Sequence, residues 1–165
     1  AISSLNKDFQ RIKLAPDIKI PVSALLPEEY IPGNQERLLQ YRKLSAATSI
    51  VEIRALIDSW EEQFGEVPTE ALHLAWLNEA RIWCKELGIQ KLHWLKVRVL
   101  FVAHPSSPIK PEKLQRLVEN FRSRMKFKKT VGEIWEFSVS FLEQEAKTPF
   151  HFLLWVFQRL KKCTE

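Results

Sequence analysis

The sequence predicts an α+β fold: an extended N-terminal segment and a three-helix cluster packed against a small β-sheet with two further helices. Two observations predict it. Apolar residues recur at helical spacing through residues 34–87, and after Gly88 they alternate with polar residues, as in half-buried strands. The chain has 165 residues, the length of one domain, so we expect a single domain over residues 1–165.

The first part of the chain is predicted to lack helices. Residues 3–13 are a mixed polar stretch with no clear period, and we interpret residues 1–15 as a linker to the rest of a larger protein. Prolines then recur every five or six residues, at Pro16, Pro21, Pro27 and Pro32. Because each proline removes a backbone donor and favours extended geometry before it, we expect an extended segment with one short strand at Ile18–Ile20.

Three amphipathic helices are predicted to follow the proline-rich segment. Their approximate bounds are 34–46, 50–63 and 69–87. Ser49 and Glu52 have the spacing of a capping box at the start of the second helix, and Gly65 can end it in a left-handed conformation. The third helix ends before Gly88, and the residues predicted on its buried face are Leu72, Trp76, Ala80, Trp83 and Leu87.

The second half is predicted to form the sheet. Alternation over Leu95–Phe101 indicates a strand, Pro111 begins a helix over about 111–123, and Phe127 lies in a short strand. A longer strand is predicted over Trp135–Phe141. Thr148 is then expected to cap a last helix over Pro149–Lys162.

Composition excludes several classes of protein. Apolar residues make up 45% and charged residues 27% of the chain, which is typical of folded domains and not of disordered ones. Apolar runs such as Val99–Ala103 are far shorter than the roughly 20 residues that span a bilayer. Two cysteines and no apolar leader indicate neither export nor disulfides, so we expect a cytoplasmic protein without membrane contact.

The residues that carry common enzyme chemistry are scattered. The four glycines stand alone, so the sequence contains no glycine-rich phosphate-binding motif. The histidines are at least eleven residues apart and the cysteines lack metal-binding spacing, and we interpret Cys84 as a small buried apolar residue. Glu61 and Glu62 are helix neighbours that point apart. We therefore predict no catalytic residue, no cofactor-binding residue and no metal ligand.

Charge is unevenly distributed along the chain. Residues 49–90 hold three basic and eight acidic side chains, whereas residues 91–165 hold fifteen basic and seven acidic ones. The densest basic cluster surrounds Phe127 and comprises Arg122, Arg124, Lys126, Lys128 and Lys129. Basic residues around an aromatic side chain suit contact with DNA or RNA, but lysines also keep an edge strand soluble. The sequence leaves these two interpretations open.

The stretch from Ile20 to Ile89 resembles the C-terminal domain of the bacterial transcription-repair coupling factor family. The order and spacing of its motifs carry the resemblance: Tyr-Ile-Pro at 30–32, Arg-Leu at 37–38, Tyr-Arg at 41–42, Phe-Gly at 64–65, Pro68, Ala-Arg at 80–81 and Leu-Gly-Ile at 87–89. One position departs from the pattern. Gln63 stands where the family has an arginine before Phe-Gly.

The resemblance implies a regulatory domain with no enzyme activity of its own. The parent protein of the family is an ATP-dependent DNA translocase that releases stalled RNA polymerase and recruits nucleotide excision repair. The implied role of this domain is to dock on the N-terminal module of the same polypeptide and mask the surface that recruits the damage sensor. Glu62 matches the family's acidic residue before Phe-Gly. We add Glu61 and Glu66 to this predicted interface from their charge alone.

Three classes of function remain open at this point. The first is the autoinhibitory docking domain. The second is an accessory domain that binds nucleic acid through the basic cluster at 122–129. The third is a small enzyme whose site the sequence does not reveal, which would require a concave site with convergent polar groups.

Overall fold

The computed structural model describes residues 15–129 and 135–165, so the predicted linker at 1–15 lies almost wholly outside the described residues. Six helices and five strands occur within those ranges. In chain order they are β1 (Asp17–Lys19), α1 (Asn34–Ala46), α2 (Ile50–Phe64), α3 (Thr69–Leu87), β2 (Ile89–Trp94), β3 (Arg98–Ala103), α4 (Pro111–Asn120), β4 (Met125–Lys129), β5 (Trp135–Ser140), α5 (Glu143–Ala146) and α6 (Pro149–Lys162). The fold is α+β, as predicted.

The chain divides into two compact units. The helical unit is Pro21–Ile82, and the sheet unit comprises Trp83–Glu165 together with the described residues up to Ile20. None of the helices in the described part of the chain is long and apolar enough to cross a bilayer.

The helical unit is built around Trp60, which is fully buried in α2. Ile53 of the same helix, Leu44 of α1 and Ile31 of the proline-rich segment are also fully or almost fully buried in this core. Burying a side chain of this size contributes about 1.5–3 kcal/mol. Apolar residues such as Ile31 therefore anchor the extended segment to the helices.

The buried face of α3 differs in part from the predicted one. Ala71, Ala75 and Ile82 lie in the core of the helical unit, while Leu72 and Trp76 are only partly buried. Ala80 and Leu87, later in the helix, are buried as predicted. Over the first two turns the buried face is one residue away from the predicted one, which is a rotation of about 100° around the helix. Small alanines fill the helix contact there because they allow a neighbouring element to approach closely.

The helix ends largely follow the predicted local signals. The hydroxyl of Ser49 accepts a hydrogen bond from the Glu52 amide at 3.2 Å, and the Glu52 carboxylate accepts one from the Thr48 amide at 2.9 Å. Gly65 ends α2 at a φ of 90°. Thr148 occupies the N-cap position of α6, but its side chain makes no capping hydrogen bond.

The sheet has the strand order β1-β2-β3-β5-β4, in which β1 and β2 are parallel and the other pairs are antiparallel. The strand predicted over Leu95–Phe101 is confirmed from Arg98 onward as part of β3, but its first three residues form the turn of a hairpin with β2, a strand that was not predicted. Leu95 and Val97 lie in this turn and are 39% and 62% exposed. Apolar alternation continued through the turn and concealed it.

The remaining elements of the sheet unit match the predictions more closely. Strand β4 contains Phe127, and α4 ends three residues before its predicted end. The short helix α5 was not predicted. Five apolar residues of α6 are buried, and one of them, Phe157, stacks on Trp83 with ring centroids 5.6 Å apart. Phe101 of β3 stacks on Phe137 of β5 at 5.0 Å, so one face of the sheet holds the core of this unit.

Candidate interaction surfaces

Several residues of the motif at 30–42 hold the extended segment in place. The Tyr30 hydroxyl donates a hydrogen bond to the Gly65 carbonyl at 2.9 Å, and the Tyr41 hydroxyl accepts one from the Leu26 amide at 2.9 Å. The Arg37 guanidinium donates to the Ile31 carbonyl at 2.6 Å. These contacts satisfy backbone groups that a proline-interrupted segment cannot pair in regular structure. These three residues therefore contribute to the scaffold.

Arg81 has a comparable structural role at the end of α1. Its guanidinium donates to the carbonyls of Leu44 and Ala47 at 3.2 and 3.3 Å. The last carbonyls of a helix have no partner within the helix, so a cation placed there both pairs them and complements the helix dipole. Burial lowers the pKa of Arg81, although an arginine stays protonated in proteins.

The predicted acidic residues surround the end of α2 and are all exposed. A cleft of about 510 Å³ lies beside them, lined by Pro27, Glu29, Tyr30, Glu66, Pro68, Thr69 and Glu70. Glu61 lies near the same tyrosine, since burial and, after it, the charge of Glu61 raise the pKa of Tyr30. Glu62 does not line the cleft. It follows Glu61 by one residue and therefore points about 100° away from it around the helix.

Two carboxylates of this acidic cleft were missed by sequence reasoning. Glu29 comes from the extended segment, more than 30 residues before Glu66, and Glu70 comes from the first turn of α3, four residues after Glu66. The adjacent pair Glu28 and Glu29 was the only available signal. Tyr30 closes the cleft against Phe64, with ring centroids 5.8 Å apart at an angle of 68°. Exposed carboxylates beside an aromatic ring can receive a lysine or arginine side chain of a partner.

The predicted basic cluster does not form one surface. Arg124 turns to the core side of the sheet, where its guanidinium donates to the Ser140 carbonyl at 3.0 Å and pairs with Glu145. The same guanidinium lies 5.7 Å from the centroid of the Phe152 ring and 5.6 Å from that of Trp155. Arg124 thus joins β4, α5 and α6 and is occupied by these contacts.

The other members of the cluster lie around the edge strand β4. Lys126 and Lys128 are exposed on one face, whereas Phe127 is on the opposite face, in register with Phe137. Arg122 is exposed before the strand begins, and the side chain of Lys129 is outside the described part of the structure. Phe127 cannot stack on a base that is held by Lys126 and Lys128, because successive strand residues point to opposite sides.

Groups with nucleophilic or metal-binding chemistry are not assembled in the residues described. Cys84 is fully buried, and burial raises the pKa of its thiol. Cys163 is 5% exposed, and burial raises the pKa of its thiol too. Within 15–129 and 135–165, no three histidine, cysteine, aspartate or glutamate residues are grouped so that they could hold a metal ion.

Comparison with known proteins agrees with the motifs. Residues 20–114 match the TRCF domain family. Transcription-repair-coupling factor from Mycobacterium bovis is 39% identical over 72 residues, which is 44% of this chain and 6% of that protein. The protein of the same name from Myxococcus xanthus is 25% identical over 119 residues, or 72% of this chain and 10% of that protein. The chain thus spans a small part of the length of these relatives.

A solved structure has the same fold. It is described as the crystal structure of the C-terminal domain of transcription-repair coupling factor, and it superposes with a TM-score of 0.68 over 91% of this chain and 94% of that chain, at 13% sequence identity. The family match covers more than half of the chain. It includes the motif residues at 30–42, helices α2 and α3, and every residue that lines the acidic cleft. The chain therefore belongs to the TRCF domain family.

Proposed function

We propose that this chain is the C-terminal regulatory domain of a transcription-repair coupling factor and that it acts by autoinhibition. It docks on the N-terminal module of the same polypeptide and masks the surface that recruits the nucleotide excision repair machinery. The parent protein is an ATP-dependent DNA translocase of the cytoplasm that releases stalled RNA polymerase. The domain described here is not itself an enzyme, and it reaches the damage sensor and RNA polymerase only through the parent.

The observation that supports this proposal is the acidic cleft beside the end of α2. Glu29, Glu66 and Glu70 line it, and Glu61 lies near Tyr30 at its wall. All four glutamates are exposed. Their attraction to a basic surface is therefore modest and is screened by salt. Weak, charge-matched contacts suit a lid that must open, because ligands can then shift the population between docked and undocked states.

The missing family arginine affects the expected strength of docking. Gln63 stands in its place and is exposed on α2. The docked state of this chain therefore lacks one charged contact that its relatives can use. The proposal relies instead on the carboxylates of the cleft, and the experiment below separates these from Glu62.

The test uses the full-length protein that contains this chain and measures its affinity for the damage sensor. One variant carries Glu61→Lys and Glu66→Lys, and a second carries Glu62→Lys alone. We expect the first variant to bind the sensor at least about tenfold more tightly. Losing about 1.4 kcal/mol of docking free energy raises the undocked fraction of the protein about tenfold, and the apparent affinity for the sensor rises with it. The second variant reports whether the side of α2 away from the cleft takes part.

The matched control is Glu112→Lys and Glu119→Lys on α4, which changes the charge equally at exposed positions of the sheet unit. It should leave the affinity unchanged. If thermal unfolding shows intact folding and the affinity is unchanged both in the Glu61→Lys, Glu66→Lys variant and in the Glu62→Lys variant, the proposal is contradicted. Equal gains in the control and in the cleft variant would show that net charge acts, and this result would also contradict it.

A further inference from the structure

The face of the sheet opposite its aromatic core gathers basic residues that are far apart in sequence. Residues directly across two paired strands point to the same face. The strand register aligns Lys91 with Val102, Val102 with Glu136 and Glu136 with Lys128. A second row across the sheet, in order from β1 to β4, comprises Lys19, His93, Leu100, Ser138 and Lys126. We call this surface the basic sheet face. Its exposed basic residues are Lys19, Lys91, Arg98, Lys126 and Lys128.

The acidic residues of the same face do not cancel this charge. Asp17 is hydrogen-bonded to His93 at 2.8 Å, and Glu136 lies 3.7 Å from the ammonium of Lys128. These are the two acidic residues that the described strands place on this face, against five basic ones. The face therefore has a positive net charge, and long, flexible lysine side chains can reach outward from it.

Four of the five basic residues form two rims with a largely neutral strip between them, and Arg98 lies at the end of this strip on β3. Lys19 and Lys91 lie on β1 and β2, and Lys126 and Lys128 lie on the opposite edge strand β4. Leu100 and the almost fully buried Val102 and Ser138 occupy the strip, and no phenylalanine, tyrosine or tryptophan of the described strands is on this face. Strands are spaced about 4.8 Å apart, so the rims are about 14–19 Å apart.

We propose that the basic sheet face binds the sugar-phosphate backbone of double-stranded DNA without sequence preference. The spacing of the rims favours a duplex. Two rims can contact phosphates of both strands on either side of a groove, and the major groove is about 12 Å wide. A single acidic peptide carries its charges along one line and can satisfy one rim at a time.

The lack of phenylalanine, tyrosine and tryptophan on this face of the described strands points in the same direction. Proteins that bind single-stranded nucleic acid combine basic residues with aromatic rings on which the bases stack. This face offers cations and a neutral floor, which suit phosphates that stay paired in a duplex. The site differs from the predicted basic cluster, since it shares only Lys126 and Lys128 with it and adds residues from β1, β2 and β3.

The test is titration of a fluorescent 20-base-pair duplex with the 165-residue chain at 50, 100 and 200 mM salt. We compare it with the variant Lys91→Ala, Arg98→Ala and Lys126→Ala. The chain should bind the duplex, and the triple variant should bind at least about tenfold more weakly at 50 mM salt. The slope of log affinity against log salt should become shallower by about one for each contact removed.

The control variant loses the same charge at exposed positions on helices of the sheet unit or at their ends, which are not part of the strands: Arg116→Ala, Lys147→Ala and Lys162→Ala. Its affinity should fall by less than about threefold, since only long-range attraction is reduced. Three results would overturn the proposal: no binding of the duplex at 50 mM salt, equal loss in both triple variants, or tighter binding of a single strand or of a poly-glutamate peptide than of the duplex. Because this test uses the isolated chain and no damage sensor, its outcome is independent of the autoinhibition test.

Discussion

Gln40 is a buried polar residue at the centre of the helical unit, with 2% of its surface exposed. Its side-chain oxygen accepts a hydrogen bond from the indole nitrogen of Trp60 at 2.8 Å, and its nitrogen donates to Glu36 at 2.9 Å. Trp60 itself is fully buried, so Gln40 is the group that allows an indole N–H to be placed in this core.

We expect Gln40→Leu to lower the free energy of unfolding by about 1–3 kcal/mol. The substitution preserves much of the buried volume but leaves the Trp60 indole N–H without its acceptor, and an unsatisfied buried donor costs about that much. Urea unfolding followed by tryptophan fluorescence measures the change. The control Gln63→Leu alters an exposed glutamine on α2 and should change stability by no more than about 0.5 kcal/mol. Equal effects of the two substitutions would show that the hydrogen bond is not responsible.

At the scale of elements, the junction between α3 and β2 depends on Gly88. Its φ is 68°, a conformation that side chains disfavour, and the position of an added Cβ would be 2.5 Å from the Cα of Ser107. Ser107 approaches because its hydroxyl donates to the Leu87 carbonyl at 2.6 Å and accepts from the Ile109 amide at 3.2 Å. The loop before α4 thus pairs a carbonyl at the end of α3 and requires a residue without a side chain there.

We expect three glycine-to-alanine substitutions to separate backbone strain from collision. Gly65→Ala introduces strain alone, because its φ is 90° but the space for a Cβ is open, and it should cost about 1–3 kcal/mol. Gly88→Ala adds a clash with backbone, which should cost about 1–3 kcal/mol more. Gly33→Ala has ordinary φ and space and should cost at most about 1 kcal/mol.

Chemical denaturation of the three variants gives this order directly. Gly33→Ala serves as the internal control, since it tests the effect of alanine where neither strain nor collision is expected. If Gly88→Ala were no more destabilising than Gly65→Ala, the close approach of Ser107 would not contribute to the stability of this junction.

At the scale of the whole molecule, the two thiols report how the fold opens. Cys84 lies in α3 and is fully buried, whereas Cys163 follows the last residue of α6 and is 5% exposed. The thiolate is the reactive form, and burial raises the pKa of both thiols, so each is kept protonated and out of reach of a reagent. Helix ends fray at lower cost than the interior of a helix opens.

We therefore expect a disulfide reagent such as DTNB to modify Cys163 first and Cys84 only when the sheet unit unfolds. The variant Cys163→Ser leaves Cys84 as the single thiol, and its reaction in native buffer should be at least about 100-fold slower than in urea. The variant Cys84→Ala reports Cys163 in the same way. Equal native rates for the two variants would mean that the end of α6 opens only together with the core.

The sequence by itself determined the features that depend on neighbours along the chain. Helical periodicity, the Ser49 cap and the glycine at the end of α2 fixed most helices, because their energies come from contacts within one or two turns. The motifs from Tyr30 to Ile89 determined the family. Local alternation failed at the β2–β3 turn, since Leu95 and Val97 continue an apolar pattern that only strand pairing interrupts.

Only the tertiary structure decided which charged residues share a surface. Glu29 meets Glu66 and Glu70 because the extended segment is bonded back to the helices through Tyr30 and Tyr41. Lys19, Lys91 and Lys126 share a face because strand register sets which side each residue occupies, and a shift of one residue would reverse it. Register arises from pairing between distant segments, so the order of residues along the chain does not contain it in readable form.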